Sequence, residues 1–271
     1  MAMRLRTVDA FTDRPFTGNP AAVVVLSEAA PDDWMAALAR ELNLSETAFV
    51  IPEPSSEADL RLRWFTPAVE VDLCGHATLA AAHCLFEDGI CGPIRFATRG
   101  GILTVGNRPD GSLAMDLPAW PPSQIDTPAG IADALGVPVK WTGRSDNNYL
   151  LALVTDESEV RALNPDIAGL ANLPIDVIIV TAAADPGRAH DFVSRVFAPK
   201  VGIDEDPVTG SAHTVLAPYW ARRLGRRSLV GFQASARSGL VGVQLSDNRV
   251  ILTGRAVTVL DAVLSATAAP A

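Results

Sequence analysis

Positive charge is in short supply in this sequence: 22 Lys and Arg face 31 Asp and Glu over 271 residues, a net charge near -9. Such a surface repels a phosphate backbone instead of releasing its counterions, so no nucleic-acid partner is expected. The one basic cluster, Arg222, Arg223, Arg226 and Arg227, follows an apolar run ending at Leu224, where cations suit the end of a helix. Long apolar runs are missing as well. No stretch approaches the roughly 18 uncharged apolar residues of a spanning helix, and Arg4, Arg6, Asp9 and Asp13 interrupt the segment where a secretory signal needs its apolar core. The expectation is a cytoplasmic protein with no membrane association. Cysteine is sparse and odd in number, Cys74, Cys84 and Cys91. A helix carrying both Cys84 and Cys91 holds them about 10 Å apart, beyond disulfide reach, so reduced thiols are expected. Four histidines, His76, His83, His190 and His213, show neither HxxxH nor Cys-x-x-Cys spacing, so no metal site is expected.

What is present is a large apolar fraction, 48% hydrophobic against 20% charged, enough for one large or two ordinary cores. Thr7 to Leu26 reads as a β-hairpin around the turn-rich Asp13-Arg14-Pro15 and Gly18-Asn19-Pro20. Pro31-Asp32-Asp33 opens a helix with Trp34, Leu38 and Leu42 on one face, and it stops near Asn43. The β-like run Thr47 to Pro52 follows, which puts Glu46 at a strand entrance. Pro118 to Pro128 reads as a linker.

An internal repeat organises the rest. Arg63, Phe65, Pro67, Val69 and Asp72 recur as Arg195, Phe197, Pro199, Val201 and Asp204, offset by 132. Three extra residues after Asp204 shift the register to 135, which aligns Gly75 and Ala77 with Gly210 and Ala212. Both copies continue as apolar helices, Ala77 to Ile90 and Ala212 to Leu224, of the kind found in the middle of a fold. Pro218 is expected to kink the second. Duplication with divergence is the simplest architecture.

Each copy starts its helix with glycine and a polar residue, Gly75-His76 and Gly210-Ser211. The unpaired amides and the dipole of a helix start make an anion site. If the copies face each other, both starts serve one cleft and hold a carboxylate or a developing enolate. Cys74, just before Gly75, has its thiol acidified by the helix end on this reading, although a small buried thiol is the plainer one. A two-thiol racemase needs a second cysteine, and the aligned positions are Asp206-Pro207. His76 and Asp206 can move protons, bind substrate or simply cap. Glu46 by itself reads as an ordinary solvated charge.

Four blocks change that reading: VDAFTDRPFTGNPAAVV (Val8 to Val24), NLSETAFV (Asn43 to Val50), FTPAVEVDLCGHATLAAAH (Phe65 to His83) and DEDPVTGSAHTVLAPYWA (Asp204 to Ala221). In this order they resemble the PhzF-like family of phenazine-biosynthesis-related isomerases. The resemblance implies an α+β, diaminopimelate epimerase-like fold: two pseudo-symmetric lobes, each a curved, mostly antiparallel sheet around a central helix, assembled as a homodimer. It implies lobes at 1–118 and 119–255, with 256–271 packing back on the first. It makes Glu46 the general acid/base, with His76 and Asp206 as further catalytic groups, and Gly75, Gly210 and Ser211 as binders of a small carboxylated substrate. No metal and no organic cofactor is implied. Alternatives are a thiol-assisted amino-acid racemase or epimerase using Cys74, and a non-catalytic, partner-binding member of the fold.

Overall fold

The structure is a computed structural model that describes residues 3–53, 55 and 57–270. The chain divides into two compact units, residues 1–116 with 253–271 and residues 117–252. Among the described residues no helix is long and apolar enough to cross a membrane.

In the first unit the hairpin comprises β1 (Arg4–Ala10) and β2 (Asn19–Val25), paired antiparallel. Asn19 is thus the first residue of a strand and not part of the turn. Gly18 makes that turn at φ +70, where a Cβ would meet the Ala10 carbonyl oxygen at 2.3 Å. Helix α1 (Asp32–Leu42) ends on Asn43 in the left-handed region, φ 49. β3 (Glu46–Pro52) runs parallel to β2, then β4 (Leu60–Phe65) and β5 (Glu70–Val71) pair antiparallel in turn. Helix α2 (Gly75–Glu87) precedes β6 (Ile94–Thr98), β7 (Gly101–Asn107) and β8 (Leu113–Pro118).

Both faces of β3 are covered, which explains a run with no polar alternation after Glu46. Phe49 and Ile51 pack with Met35 and Leu38 of α1. Ala48 and Val50 therefore point the other way, and Glu46 shares their side by the two-residue period of a strand. That side belongs to α2, which packs on β1, β2 and β3. Helix α2 is buried almost throughout, from Gly75 to Ala82 and again at Cys84 and Leu85, with alanines that allow close approach to the sheet. It ends three residues short of Ile90, because Gly89 takes φ +92 and the Ile90 amide turns back to the Leu85 carbonyl. Arg6 of β1 donates to the Cys84 carbonyl and to the Asp88 carboxylate, tying that end to the sheet. Cys91 lies beyond the helix, and all three cysteines are free thiols, Cys74 and Cys84 buried and Cys91 exposed.

The second unit repeats the plan. β9 (Ser123–Gln124) pairs with β10 (Trp141–Arg144), so the proline-rich segment is built into the sheet and is not a free linker. Between them lies α3 (Ile131–Leu135). β11 (Tyr149–Leu153), α4 (Glu157–Ala162), α5 (Ile167–Ala171), β12 (Val177–Ala183), β13 (Phe192–Ala198) and β14 (Ile203–Asp206) follow. Helix α6 (Gly210–Leu224) leads to β15 (Ser228–Gln233), β16 (Gly239–Ser246) and β17 (Arg249–Gly254). As β2 and β3 are parallel, so are β11 and β12; as β4 is parallel to β6, so is β13 to β15. Helices α3, α4 and α5 cover the outer face through Ile131, Leu135, Val160 and Leu170. Last in the chain, β18 (Ala256–Val263) pairs antiparallel with β1 and packs on α2.

The repeat is visible atom by atom. Arg63 forms a bidentate pair with Glu70 and lies 5.2 Å from the Phe65 ring centre, and Arg195 does the same with Glu205 and Phe197, again at 5.2 Å. Trp64 pairs with Val71 as Val196 pairs with Asp206. The three extra residues therefore fall before Glu205 and not after Asp204. Asp206 matches Val71, Thr209 matches Cys74, and the likeness of Asp72 to Asp204 is coincidental. Helix α6 runs continuously through Pro218. The Thr214 carbonyl, which Pro218 leaves without a helical donor, accepts from the Trp120 amide at 3.0 Å.

Glu157, the first residue of α4, is fully buried and accepts from Arg161 at 2.7 Å, the Asp185 amide at 2.9 Å and His190 at 3.2 Å. Burial opposes its charge, but the Asp185 amide, Arg161 and His190 outweigh it and hold the carboxyl below its usual range. A depressed carboxyl stabilises the fold above the unfolded value and loses that effect as pH falls through the folded one. Glu157→Gln should cost about 1–3 kcal/mol at pH 7, and the difference from wild type should shrink below about pH 4.3. Denaturant melts of both proteins across that range provide the measurement.

Candidate active site

Parallel pairing of β2 and β3 places their first residues at one end of the sheet, with Ala21 opposite Glu46. Asn19, two residues before Ala21, lies on the same side of β2, and α2 begins beside both. His76 in its first turn reaches Glu46, Nε2 to Oε2 2.9 Å, while Asn19 Nδ2 lies 3.1 Å from Nδ1. Cys74, the residue before α2, places Sγ 3.5 Å from Nδ1 and 3.9 Å from Nε2. Glu46, Cys74 and His76 are 7%, 6% and 4% exposed. The contact to His76 brings charge close but is poorly aligned, so buried Oε2 of Glu46 has no well-formed hydrogen bond.

Burial disfavours an imidazolium at His76, but the negative charges of Cys74, when ionised, and of Glu46 outweigh it and raise His76 well above its ordinary value. Burial, with the Glu46 charge, pushes the Cys74 thiol up to about 11. Of the two sequence readings this favours the plainer one, a small buried thiol, because desolvation overrides the helix end. Glu46 and Cys74 are the two negative partners that can favour the protonated ring of His76. The Asn19 amide suits either ring state, donating to a neutral nitrogen or, turned over, accepting from N–H.

In the second unit, Thr209 precedes α6, and its hydroxyl donates to Asp206 Oδ2 at 2.5 Å. Fully buried Gln233 braces this turn: its Oε1 accepts from the Thr209 amide at 2.8 Å and its Nε2 donates to the Asp206 carbonyl at 2.6 Å. Ser211 Oγ lies 3.1 Å from the Tyr149 hydroxyl. Ser211 stands where His76 does, and Tyr149 opens β11 as Asn19 opens β2. At the matched helix-start positions the duplicated frame thus carries Cys74 and His76 in one copy and the hydroxyls of Thr209 and Ser211, beside Asp206, in the other. Burial drops His213 to about 4, against a hydrogen bond from Nδ1 to the Thr209 carbonyl at 2.8 Å, so this ring is neutral and structural.

Sequence reasoning missed Asn19, Tyr149, Thr209 and Gln233. Asn19 was hidden in a turn-like tripeptide, Thr209 by the misplaced register, and Tyr149 was findable only through the repeat. The absence of local ligand spacing also concealed a cluster of Glu46, Cys74 and His76 whose ligand atoms all lie within 4.8 Å of one another.

Because His76 is raised, its stabilising protonation is complete below about pH 6.5 and is lost only as pH rises through the higher folded value. Glu46→Gln should lower the His76 titration midpoint, read by histidine side-chain NMR. An unchanged midpoint would contradict the pairing.

Comparison with known proteins agrees along nearly the full length. A family model described as phenazine biosynthesis-like protein, PhzC-PhzF, matches residues 8–262. The chain is 50% identical over 262 residues to a Pseudomonas aeruginosa protein named an uncharacterized isomerase, covering 96% of this chain and 97% of that one. A PhzF-family phenazine biosynthesis protein from Enterococcus faecalis matches in structure with a TM-score of 0.92 at 38% identity, covering 98% and 100%. A hydroxyproline epimerase from Agrobacterium vitis shares the fold, TM-score 0.62 at 14% identity over 97% and 94%. Matched in sequence and in architecture, the chain belongs to the PhzF family of phenazine biosynthesis-like, isomerase-type proteins and has the α+β diaminopimelate epimerase-like fold.

Proposed function

We propose that this protein is a cofactor-independent isomerase that moves a proton, and with it a double bond, in a small carboxylated metabolite, with Glu46 as the acid/base. The observation that carries the reading is the buried Glu46 Oε2, 2.9 Å from His76 yet without an aligned hydrogen bond. Such an oxygen keeps a lone pair for a substrate proton, and one carboxyl can deprotonate one carbon and protonate another on the same face. His76 moderates the charge on Glu46 through the cycle, and Asn19 holds its ring.

The amides that open α2 lack helical acceptors, and Gly75 presents one without a side chain in the way, which suits a substrate carboxylate. The proposal assigns Gly210 and Ser211 of the second unit to substrate binding as well. Asp206 is assigned the further proton-handling role, with Thr209 and Gln233 fixing its orientation. A thiol mechanism is disfavoured on two counts: Cys74 is held protonated, and its counterpart is Thr209.

Incubating unsaturated and cyclic amino or hydroxy acids in D2O and following them by NMR identifies the substrate through deuterium uptake and isomer formation. With it, Glu46→Gln should lose about 100- to 10,000-fold in kcat while folding and binding normally, and Cys74→Ser should remain active. A Glu46→Gln variant with wild-type turnover would overturn the proposal.

A further inference from the structure

Glu46, Cys74 and His76 form a mixed carboxylate, thiol and imidazole set, all buried and assembled from two separate segments of the first unit. Ligands around a tetrahedral zinc ion lie about 3.3–3.6 Å apart, from bond lengths near 2.0–2.3 Å. Here Nε2 of His76 is 2.9 Å from Oε2 of Glu46 and 3.9 Å from Sγ of Cys74. Adjustments of about half an ångström bring these two edges to the tetrahedral values, and the carboxylate-to-sulfur edge, within 4.8 Å, closes by at most about 1.3 Å through side-chain rotation.

Two further features point the same way. Oε2 of Glu46 is a buried oxygen with no aligned donor, an available ligand atom directed at the cluster. Asn19 engages the other ring nitrogen at 3.1 Å, the support a metal-bound histidine needs to keep Nε2 turned toward the ion. Thiolate with imidazole selects a zinc-class ion over magnesium or calcium.

We propose that Glu46, Cys74 and His76 bind one zinc-class divalent ion, leaving its fourth position to water. On binding, the thiol releases its proton to solvent and sulfur becomes a thiolate ligand. Resting on the proton-transfer reading above, a further consequence is that the ion occupies the acid/base oxygen, so zinc acts as a reversible inhibitor and not as a cofactor.

The test uses the intact reduced chain and cobalt(II), whose spectrum reports its ligands. One equivalent of cobalt should give thiolate-to-metal charge transfer in the near ultraviolet and intense visible bands of a tetrahedral ion, both erased by added zinc. Cys74→Ala should abolish the charge-transfer band, Glu46→Gln and His76→Gln should each weaken binding at least 10-fold, and Cys91→Ser should change nothing. Thermal melts show that each variant is folded. No charge-transfer band in wild type, or one that survives in Cys74→Ala, overturns the proposal. Because the titration reads no turnover, its failure leaves the acid/base assignment standing, and loss of that assignment leaves the ion site standing.

Discussion

The buried carboxyl of Glu46 and the buried imidazole of His76 stand 2.9 Å apart beneath a sheet covered on both faces, and the rest of the structure is arranged around that contact. Taking a carboxylate and an imidazolium out of water costs several kcal/mol each, and only close approach to one another recovers it. That demand sets the geometry around it. The helix start must lie against the ends of two parallel strands, so β2 and the face of α2 opposed to it carry small residues, Ala21, Ala77, Ala80 and Ala81, all buried. Asn19 must fix the ring. Cys74, in the same dry corner, then loses its acidity, because the surroundings that make the pair strong make a second anion costly.

Between the duplicated halves some residues recur and others do not. The frame recurs in both: Arg63 with Glu70 and Phe65, Arg195 with Glu205 and Phe197, and two parallel pairings placed alike within mostly antiparallel sheets. The residues at the helix starts do not recur. Cys74 and His76 become Thr209 and Ser211, and the first residue of the strand that should match Glu46 is Val177. A symmetric scaffold therefore presents an asymmetric set of groups at its two helix starts.

Much of this was legible before any coordinates. The hairpin, the helix ending at Asn43, the strand entrance at Glu46 and the repeat follow from local periodicity and turn chemistry, which short segments carry by themselves. The partners of Glu46 were not, since His76 lies 30 positions away and meets it only through strand parity and the packing of α2. Register inside the second copy was misread because Asp204 resembles Asp72, while the pairing of β13 with β14 obeys hydrogen bonds and not residue likeness. The choice between an acidified and a plain buried thiol at Cys74 turned on burial: a helix end is visible in sequence, and the depth that favours the buried reading is seen only in the fold.

The placement of β18 has a consequence for how the polypeptide acquires its structure. β1 finds one of its neighbours in residues 256–263, beyond the second unit, which is a single uninterrupted stretch, 117–252. During synthesis from the N-terminus, the second unit can close as soon as it emerges, but the first waits with one edge of β1 unpaired until residues 256–263 have followed it. The unit that holds Glu46 and His76 is therefore begun before the second unit and completed after it, with a sheet edge of β1 exposed while the second unit is being made.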